Sequence, residues 1–230
     1  MTFSIVGQCA HSGMLGIAIT TSSICVASRC SWARAGVGAV ATQNFTDPRL
    51  GVRGLGLLAE GLKATEVMAR LIEESEFPEY RQLAVIDRHG QTSYHSGNKA
   101  LGIHGAASGD HCLAAGNLLS SKEVPRAMVS AFMALSPAEH LAERLLRALE
   151  GGLAAGGEIY PLRSAGLLVV DTQPWPLVDL RVDWHESPVT ALGELWRRYE
   201  PEMKTFLLWA LDPDQAPPFP LPGNDKRNER

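Results

Sequence analysis

The chain begins Met1-Thr2-Phe3-Ser4-Ile5-Val6-Gly7, a β-prone run in which a hydroxyl side chain directly follows the initiator methionine. The small side chain of Thr2 permits an aminopeptidase to remove Met1, which would leave a hydroxyl oxygen and an α-amine on one residue. A free α-amine titrates near pH 7.7–8.0, so it can accept the hydroxyl proton at neutral pH. Thr2 is therefore a candidate nucleophile, although a threonine after methionine is by itself a weak signal.

Short apolar runs separated by turn residues follow this opening. Residues 3–6 are predicted to form a first strand, and residues 14–20 a second one after a turn rich in Gly and Ser. A third run, residues 36–41, contains only small residues and valine, as is typical where two layers approach closely. The first third of the chain is therefore interpreted as the buried centre of a sheet.

Helical and extended segments alternate later in the chain. Helical spacing over residues 50–75 is predicted to divide at Gly61, and three further helices are predicted to begin at Ser121, Ser136 and Pro188. The helix that begins at Ser136, with Pro137 and Glu139 as a capping box, is expected to end at Gly151. Further strands are predicted within residues 83–95, 108–117, 163–170 and 177–184.

Five segments of the chain, taken in order, resemble one known family. They are TFSIVG at residues 2–7, residues 32–43, residues 115–119, residues 163–170 and residues 177–183. Together they resemble a bacterial family, the domain of unknown function 1028, that is grouped with the N-terminal nucleophile (Ntn) hydrolases. The resemblance extends from Thr2 to about Tyr199 and implies an α+β fold, a four-layer αββα sandwich of the Ntn-hydrolase type, and an ancestry among amide-bond hydrolases.

Composition limits the classes of protein that fit. The 230 residues suit one Ntn-hydrolase-like domain over residues 1–212, followed by a proline-rich, charged tail over residues 213–230 that we expect to be disordered. The formal net charge of -4 gives no electrostatic footprint for nucleic acid, and no apolar run is long enough for a membrane span. The start of the chain leaves no room for a signal peptide, so we expect a cytoplasmic protein with its four cysteines reduced.

The resemblance assigns candidate roles around Thr2. Asn117, at a strand-to-helix turn, is a candidate oxyanion donor, or alternatively an asparagine that satisfies its own turn. Thr21 and Ser22 are candidates to hydrogen-bond the amine. Family members often carry lysine where this chain has Ser22, and the first lysine after Thr2 is Lys63, so the chain departs from the lysine-containing pattern at this point.

A second polar cluster is a candidate for substrate binding. The resemblance places an acidic residue and an arginine here, so Glu158 and Arg163 are candidates to recognise a polar substrate, with Ser164 near the amino terminus; a loop ion pair is the alternative. Arg34, beside Trp32, is a candidate to bind a carboxylate, or it only supports the sheet.

The sequence contains no recognised spacing of metal ligands and no recognised cofactor-binding motif. The cluster of His104, Asp110 and His111 matches no standard zinc spacing, and no phosphate-binding loop or GxGxxG in the required context occurs. We therefore predict no metal and no cofactor.

The predicted function is hydrolysis of a small amide or ureido substrate, with Thr2 as the nucleophile after removal of Met1. The alternative is a catalytically inactive member of the fold that binds a ligand or serves a structural role. The expected partners are a small-molecule substrate or ligand and further copies of the chain, in a homodimer or higher homo-oligomer, with no nucleic acid and no membrane.

Overall fold

The first strand lies near the middle of a six-stranded antiparallel sheet in the computed structural model, which describes residues 2–218. The order across this sheet is β10 (Val178–Val182), β9 (Ser164–Val170), β2 (Leu15–Thr21), β1 (Thr2–Gln8), β8 (Cys112–Asn117) and β7 (Gly105–Gly109). A second antiparallel sheet has the order β3 (Ser31–Arg34), β4 (Gly38–Asn44), β5 (Arg81–Asp87) and β6 (Thr92–Ser96). Most strands pair with their chain neighbours, so tight turns join them.

Helices cover the outer faces of both sheets. Phe3 and Ile5 of β1 share a core with the helices α4 (Val124–Ala134), α5 (Leu141–Ala154) and α6 (Pro188–Leu211). On the smaller sheet, Val40 and Leu83 pack against α2 (Pro48–Ala59) and α3 (Ala64–Glu74). The fold is thus the predicted four-layer αββα sandwich, with the short helix α1 (Ala27–Cys30) joining the two sheets.

Alternation along β1 divides its side chains between two environments. Phe3 and Ile5 face the helices, whereas Ser4 and Val6 face the second sheet. Between the sheets, the layer is apolar around Val6, where Ile17 and Leu113 join it. At the end where β1 begins, the same layer is polar. The change in polarity marks the place where a functional site can form within a buried core.

Most of the predicted elements are confirmed, with three corrections and one later helix start: α4 begins at Val124 and not at Ser121, whose hydroxyl accepts from the amide of Glu123 at 3.1 Å. The two opening strands, the division near Gly61, and the helix starting at Pro188 are as predicted. Residues 108–117 do not form one strand: β7 and β8 meet at a turn that contains His111, whose φ is +54°. The segment from Ser31 to Arg34 is a strand that the sequence did not indicate.

The third correction concerns the capping box at Ser136. The Ser136 hydroxyl accepts a hydrogen bond from the amide of Ala138, 3.2 Å away, and so closes a turn ahead of the helix. Helix α5 begins at Leu141, because the His140 ring accepts from the amide of Ala142 at 3.1 Å. It also continues past Gly151 to Ala154, since the glycine packs closely against the neighbouring helix.

The end of the described chain touches the last helix. Trp209 of α6 donates a hydrogen bond to the carbonyl of Pro217 at 3.1 Å. The remainder of the predicted disordered tail, residues 219–230, lies outside the described residues. Within the described part, none of the helices combines the length and the apolar character needed to cross a bilayer.

Two glycines of α2 give a matched test of the packing between helix and sheet. A Cβ on Gly51 would lie 2.1 Å from Cδ1 of Trp32, whereas a Cβ on Gly56 would meet open space. We expect Gly51→Ala to lower the free energy of unfolding by about 2 kcal/mol through overpacking. Gly56→Ala should raise it by about 1 kcal/mol, because alanine is the better helix former. Urea unfolding of both variants measures this, and equal effects would contradict the packing of Trp32 on α2.

Candidate functional site

Thr2 is buried where β1 begins, between strands β2 and β8. Only 4% of its surface is exposed, and it pairs with Asn117 across the β1–β8 ladder. Its hydroxyl lies 3.3 Å from the hydroxyl of Thr21, the residue that ends β2. The candidate nucleophile is therefore held on a rigid strand in the middle of the larger sheet.

A buried chain of hydrogen bonds links the two sheets beside Thr2. The Ser4 hydroxyl donates to the Gln43 carbonyl oxygen at 2.7 Å, and the Gln43 amide donates to the Gln82 oxygen at 2.6 Å. That same Gln82 oxygen accepts from the side-chain amide of Asn117 at 2.9 Å. The Gln82 amide in turn donates to the backbone carbonyl of Gly116 at 2.9 Å. Gln82 is thus the hub of this network.

The network fixes which way the amide side chains point. A backbone carbonyl can only accept, so Gly116 requires the nitrogen of Gln82 on its side and directs the Gln82 oxygen toward Asn117. Asn117 must therefore present its nitrogen to Gln82. Its own oxygen is buried with no hydrogen-bond partner in the described part of the chain. One N–H of Asn117 is committed to the network, which leaves the second N–H for the predicted oxyanion role.

Glu158 lies just beyond the beginning of β1 and is only 7% exposed. Its backbone forms an isolated bridge with Leu119, and its Oε2 accepts from the Ser22 hydroxyl at 3.4 Å. Its Oε1 is buried without a hydrogen-bond partner in the described chain. Burial raises the pKa of Glu158 to about 7, and this exceeds the opposing effects of the positive charge at the amino terminus and of the hydrogen bonds from Ser22. The structure thus brings Glu158, Ser22 and Thr21 to the end of the sheet where Thr2 lies.

The polar residues that follow Glu158 have other partners. The loop ion pair of Glu158 with Arg163, the alternative to substrate recognition, is absent from the described contacts: the Arg163 guanidinium pairs with Glu186 and lies 5.4 Å from the ring centre of Trp184. The Ser164 hydroxyl donates to the carbonyl of Ser23 at 2.7 Å and accepts from the amide of Val26 at 3.0 Å. Ser164 is thereby engaged in holding the loop after β2.

The candidate Arg34 and the first lysine, Lys63, lie at the opposite end of the sandwich. Arg34 pairs with Gly38 at the far end of the β3–β4 hairpin, where Gly38 in turn pairs with Asp87. Lys63 lines a surface cavity of about 150 Å³ that includes Asp87. Arg34 is therefore not part of the group around Thr2, because its strand carries it away from that end.

The two histidines of the cluster considered for zinc, His104 and His111, are also separated in the fold. His104 contacts the carbonyl of Gly102, one residue after Leu101, whose carbonyl accepts a hydrogen bond from the amide of Leu118. His111 contacts Gln8, at the opposite end of β1 from Thr2. Among the described residues, no group of three or more His, Cys, Asp or Glu comes together.

Sequence reasoning missed three residues of the network: Ser4, Gln43 and Gln82. Each interrupts an otherwise apolar alternating run, and that is the signal that could have found them. Gln43, for example, follows Ala39 and Ala41 on the face of β4 that meets the larger sheet. Which strands these faces would meet depends on the packing of the two sheets, which periodicity does not reveal.

The fold and site define a four-layer αββα protein with a threonine at the beginning of a central strand. Its sequence belongs to the family of unknown function DUF1028, whose model matches residues 2–192. The crystal structure of a DUF1028 protein from Silicibacter pomeroyi is 30% identical, with a TM-score of 0.79 over 86% of this chain and 88% of that one.

More distant similarities link the chain to Anbu, the ancestral β-subunit. The protein from Yersinia bercovieri is 12% identical, with a TM-score of 0.39 over 95% of this chain and 100% of that one. A Gly-1 mutant of Anbu from Hyphomicrobium sp. strain MC1 is 10% identical, with a TM-score of 0.40 over 96% and 100%. Comparison with curated proteins finds no match.

Proposed function

We propose that the chain is an amidohydrolase of the Ntn type that acts on a small amide or ureido substrate. Thr2 is the nucleophile, and its own α-amine is the base once Met1 has been removed. The position of Thr2 carries this proposal: its hydroxyl is buried at the beginning of a central strand, 3.3 Å from a second hydroxyl. Two buried acceptor atoms without hydrogen-bond partners in the described chain, on Asn117 and Glu158, lie on the residues around it.

The proposed reaction has two steps. The Thr2 oxygen attacks the substrate carbonyl carbon, while its proton passes to the α-amine and then to the departing nitrogen as the C–N bond breaks. The second N–H of Asn117 and a backbone N–H hydrogen-bond the oxyanion of the tetrahedral intermediate. Water then hydrolyses the ester on Thr2, which releases the acid and restores the hydroxyl and the amine.

The neighbouring hydroxyls and the acid have supporting roles in this proposal. Thr21 accepts a hydrogen bond from the Thr2 hydroxyl and so orients it before attack. Ser22 and Glu158 supply polar contacts at the same end of the sheet. Ser164 supports the loop after β2 that carries Ser22, because its hydroxyl is engaged with Ser23 and Val26, whereas the Arg163 side chain pairs with Glu186. Arg34 has no part in it.

Intact mass combined with covalent capture tests the proposal. We expect slowly expressed protein to lack the mass of one methionine, and a β-lactone with a short alkyl chain to add its whole mass at Thr2. The hydroxyl opens the lactone ring to form an ester, so nothing is lost from the reagent. Peptide mapping locates the adduct. Retention of Met1, or an adduct elsewhere, would instead favour the catalytically inactive alternative.

A further inference from the structure

Glu158 lies at the end of the larger sheet where β1 begins. On one side its carboxyl accepts from Ser22, which directly follows the Thr21 that contacts Thr2. On the other side its backbone pairs with Leu119, two residues beyond the Asn117 that pairs with Thr2. Glu158 therefore spans the two strands that flank Thr2, at the end where the amine of a processed chain would emerge.

The carboxyl group of Glu158 has a hydrogen-bond partner on only one of its two oxygens in the described chain. Its Oε1 has no hydrogen-bond partner in the described chain although the residue is only 7% exposed. The Asn117 oxygen is buried and unpartnered in the same part of the structure. A buried acceptor without a donor is costly unless a donor group from outside the described contacts reaches it. An ammonium group, with three N–H donors and a positive charge, fits that requirement.

Other charged groups on the surrounding loops already have partners. The Arg29 guanidinium donates to the Ser23 hydroxyl at 2.6 Å and to the carbonyls of Ile24 and Cys25 at 2.7 and 2.9 Å. Arg163 pairs with Glu186. The thiol of Cys30 is buried, and burial raises its pKa, so it stays neutral near pH 7. These groups leave the Glu158 carboxyl as the acidic group suited to face an ammonium at Thr2.

We propose that Glu158 is a positioning residue that binds the α-ammonium of Thr2. The role rests on the proposed function. The carboxylate orients the amine toward the hydroxyl and stabilises the positive charge that forms when the amine accepts the hydroxyl proton, as a carboxylate does for an imidazolium in a catalytic triad. A nearby negative charge favours the protonated amine, so Glu158 raises the pKa of the α-amine.

The test measures the pKa of the amine directly, without an assay of activity. Protein that begins at Thr2 is prepared by cleavage of a fusion, with carbon-13 in its threonines, and the Thr2 signal is assigned by its loss in Thr2→Ala. Its chemical shift is followed from pH 5 to pH 10. We expect the wild-type amine to titrate above the usual 7.7–8.0, and Glu158→Gln to lower that midpoint by about one pH unit or more.

Two variants serve as controls. Glu186→Gln removes the carboxyl that pairs with Arg163, on a side chain that is 80% exposed, and should leave the amine pKa unchanged. Glu158→Asp keeps the charge on a shorter side chain and should give an intermediate value, which protects the test if Glu158→Gln folds poorly. Titration of wild type and Glu158→Gln at the same pH would overturn the positioning role, even if Thr2 captures the lactone. Failure of capture with a shifted amine pKa would instead overturn the proposed function alone.

Discussion

Replacing Thr2 by alanine is expected to abolish amide hydrolysis while leaving the fold intact. Alanine is small enough for Met1 still to be removed, so the variant keeps an α-amine and loses only the hydroxyl and one methyl group. Loss of a nucleophile leaves the residual rate supplied by binding and by the oxyanion donors, so we expect kcat/KM to fall on the order of 10³- to 10⁶-fold. The measurement is turnover of a panel of small amides and ureides by processed protein.

Matched variants make this result specific. Thr2→Ser retains the hydroxyl and the amine and should keep activity within about tenfold, since the lost methyl only loosens the nucleophile. Thr65→Ala, on the exposed surface of α3, removes the same groups far from the site and should change nothing. Thr2→Ala with full activity and an unchanged melting temperature would eliminate the mechanism.

The order of elements could largely be predicted from periodicity. The hairpin of β1 and β2, the pair β5 and β6, and the half-exposed strand β10 follow from runs of alternating apolar residues between turn residues. The helix boundaries that are set by competing hydrogen bonds could not be predicted in this way. Ser136 and His140 are both able to cap a helix, and only the packing of Leu141 into the core decides between them.

Only part of the candidate site could be predicted from the sequence. Thr2 and Asn117 are candidates from the sequence, and the structure places them opposite each other on neighbouring strands. Arg34 lies apart from them, because its strand is antiparallel to β4 and runs to the far end of the sandwich. The glutamines of the network could not be placed, since each is on the second sheet and contacts the first only through the packing of the two layers.

Gln82→Met is expected to lower the free energy of unfolding by at least about 3 kcal/mol. Methionine has a similar length, so little volume changes. It leaves the side-chain amides of Gln43 and Asn117 without their acceptor and the Gly116 carbonyl without its donor, and each unsatisfied buried group costs about 1–3 kcal/mol. Urea unfolding measures the change, and Gln91→Met, at an exposed turn position, is the control that should shift it by less than about 0.5 kcal/mol.

A double-mutant cycle separates the network from simple packing. If the cost of Gln82→Met comes from partners left unsatisfied, then adding Gln43→Leu removes one of those partners and should cost less than the same change in wild type. Additive losses would mean that Gln82 acts only by filling space. The network also holds Asn117 opposite Thr2, so Gln82→Met should slow lactone capture at Thr2 even at low urea, where the chain is folded. Stability and nucleophile positioning would then share one set of buried amides, because the same hydrogen bonds join the sheets and orient the residue facing the proposed nucleophile.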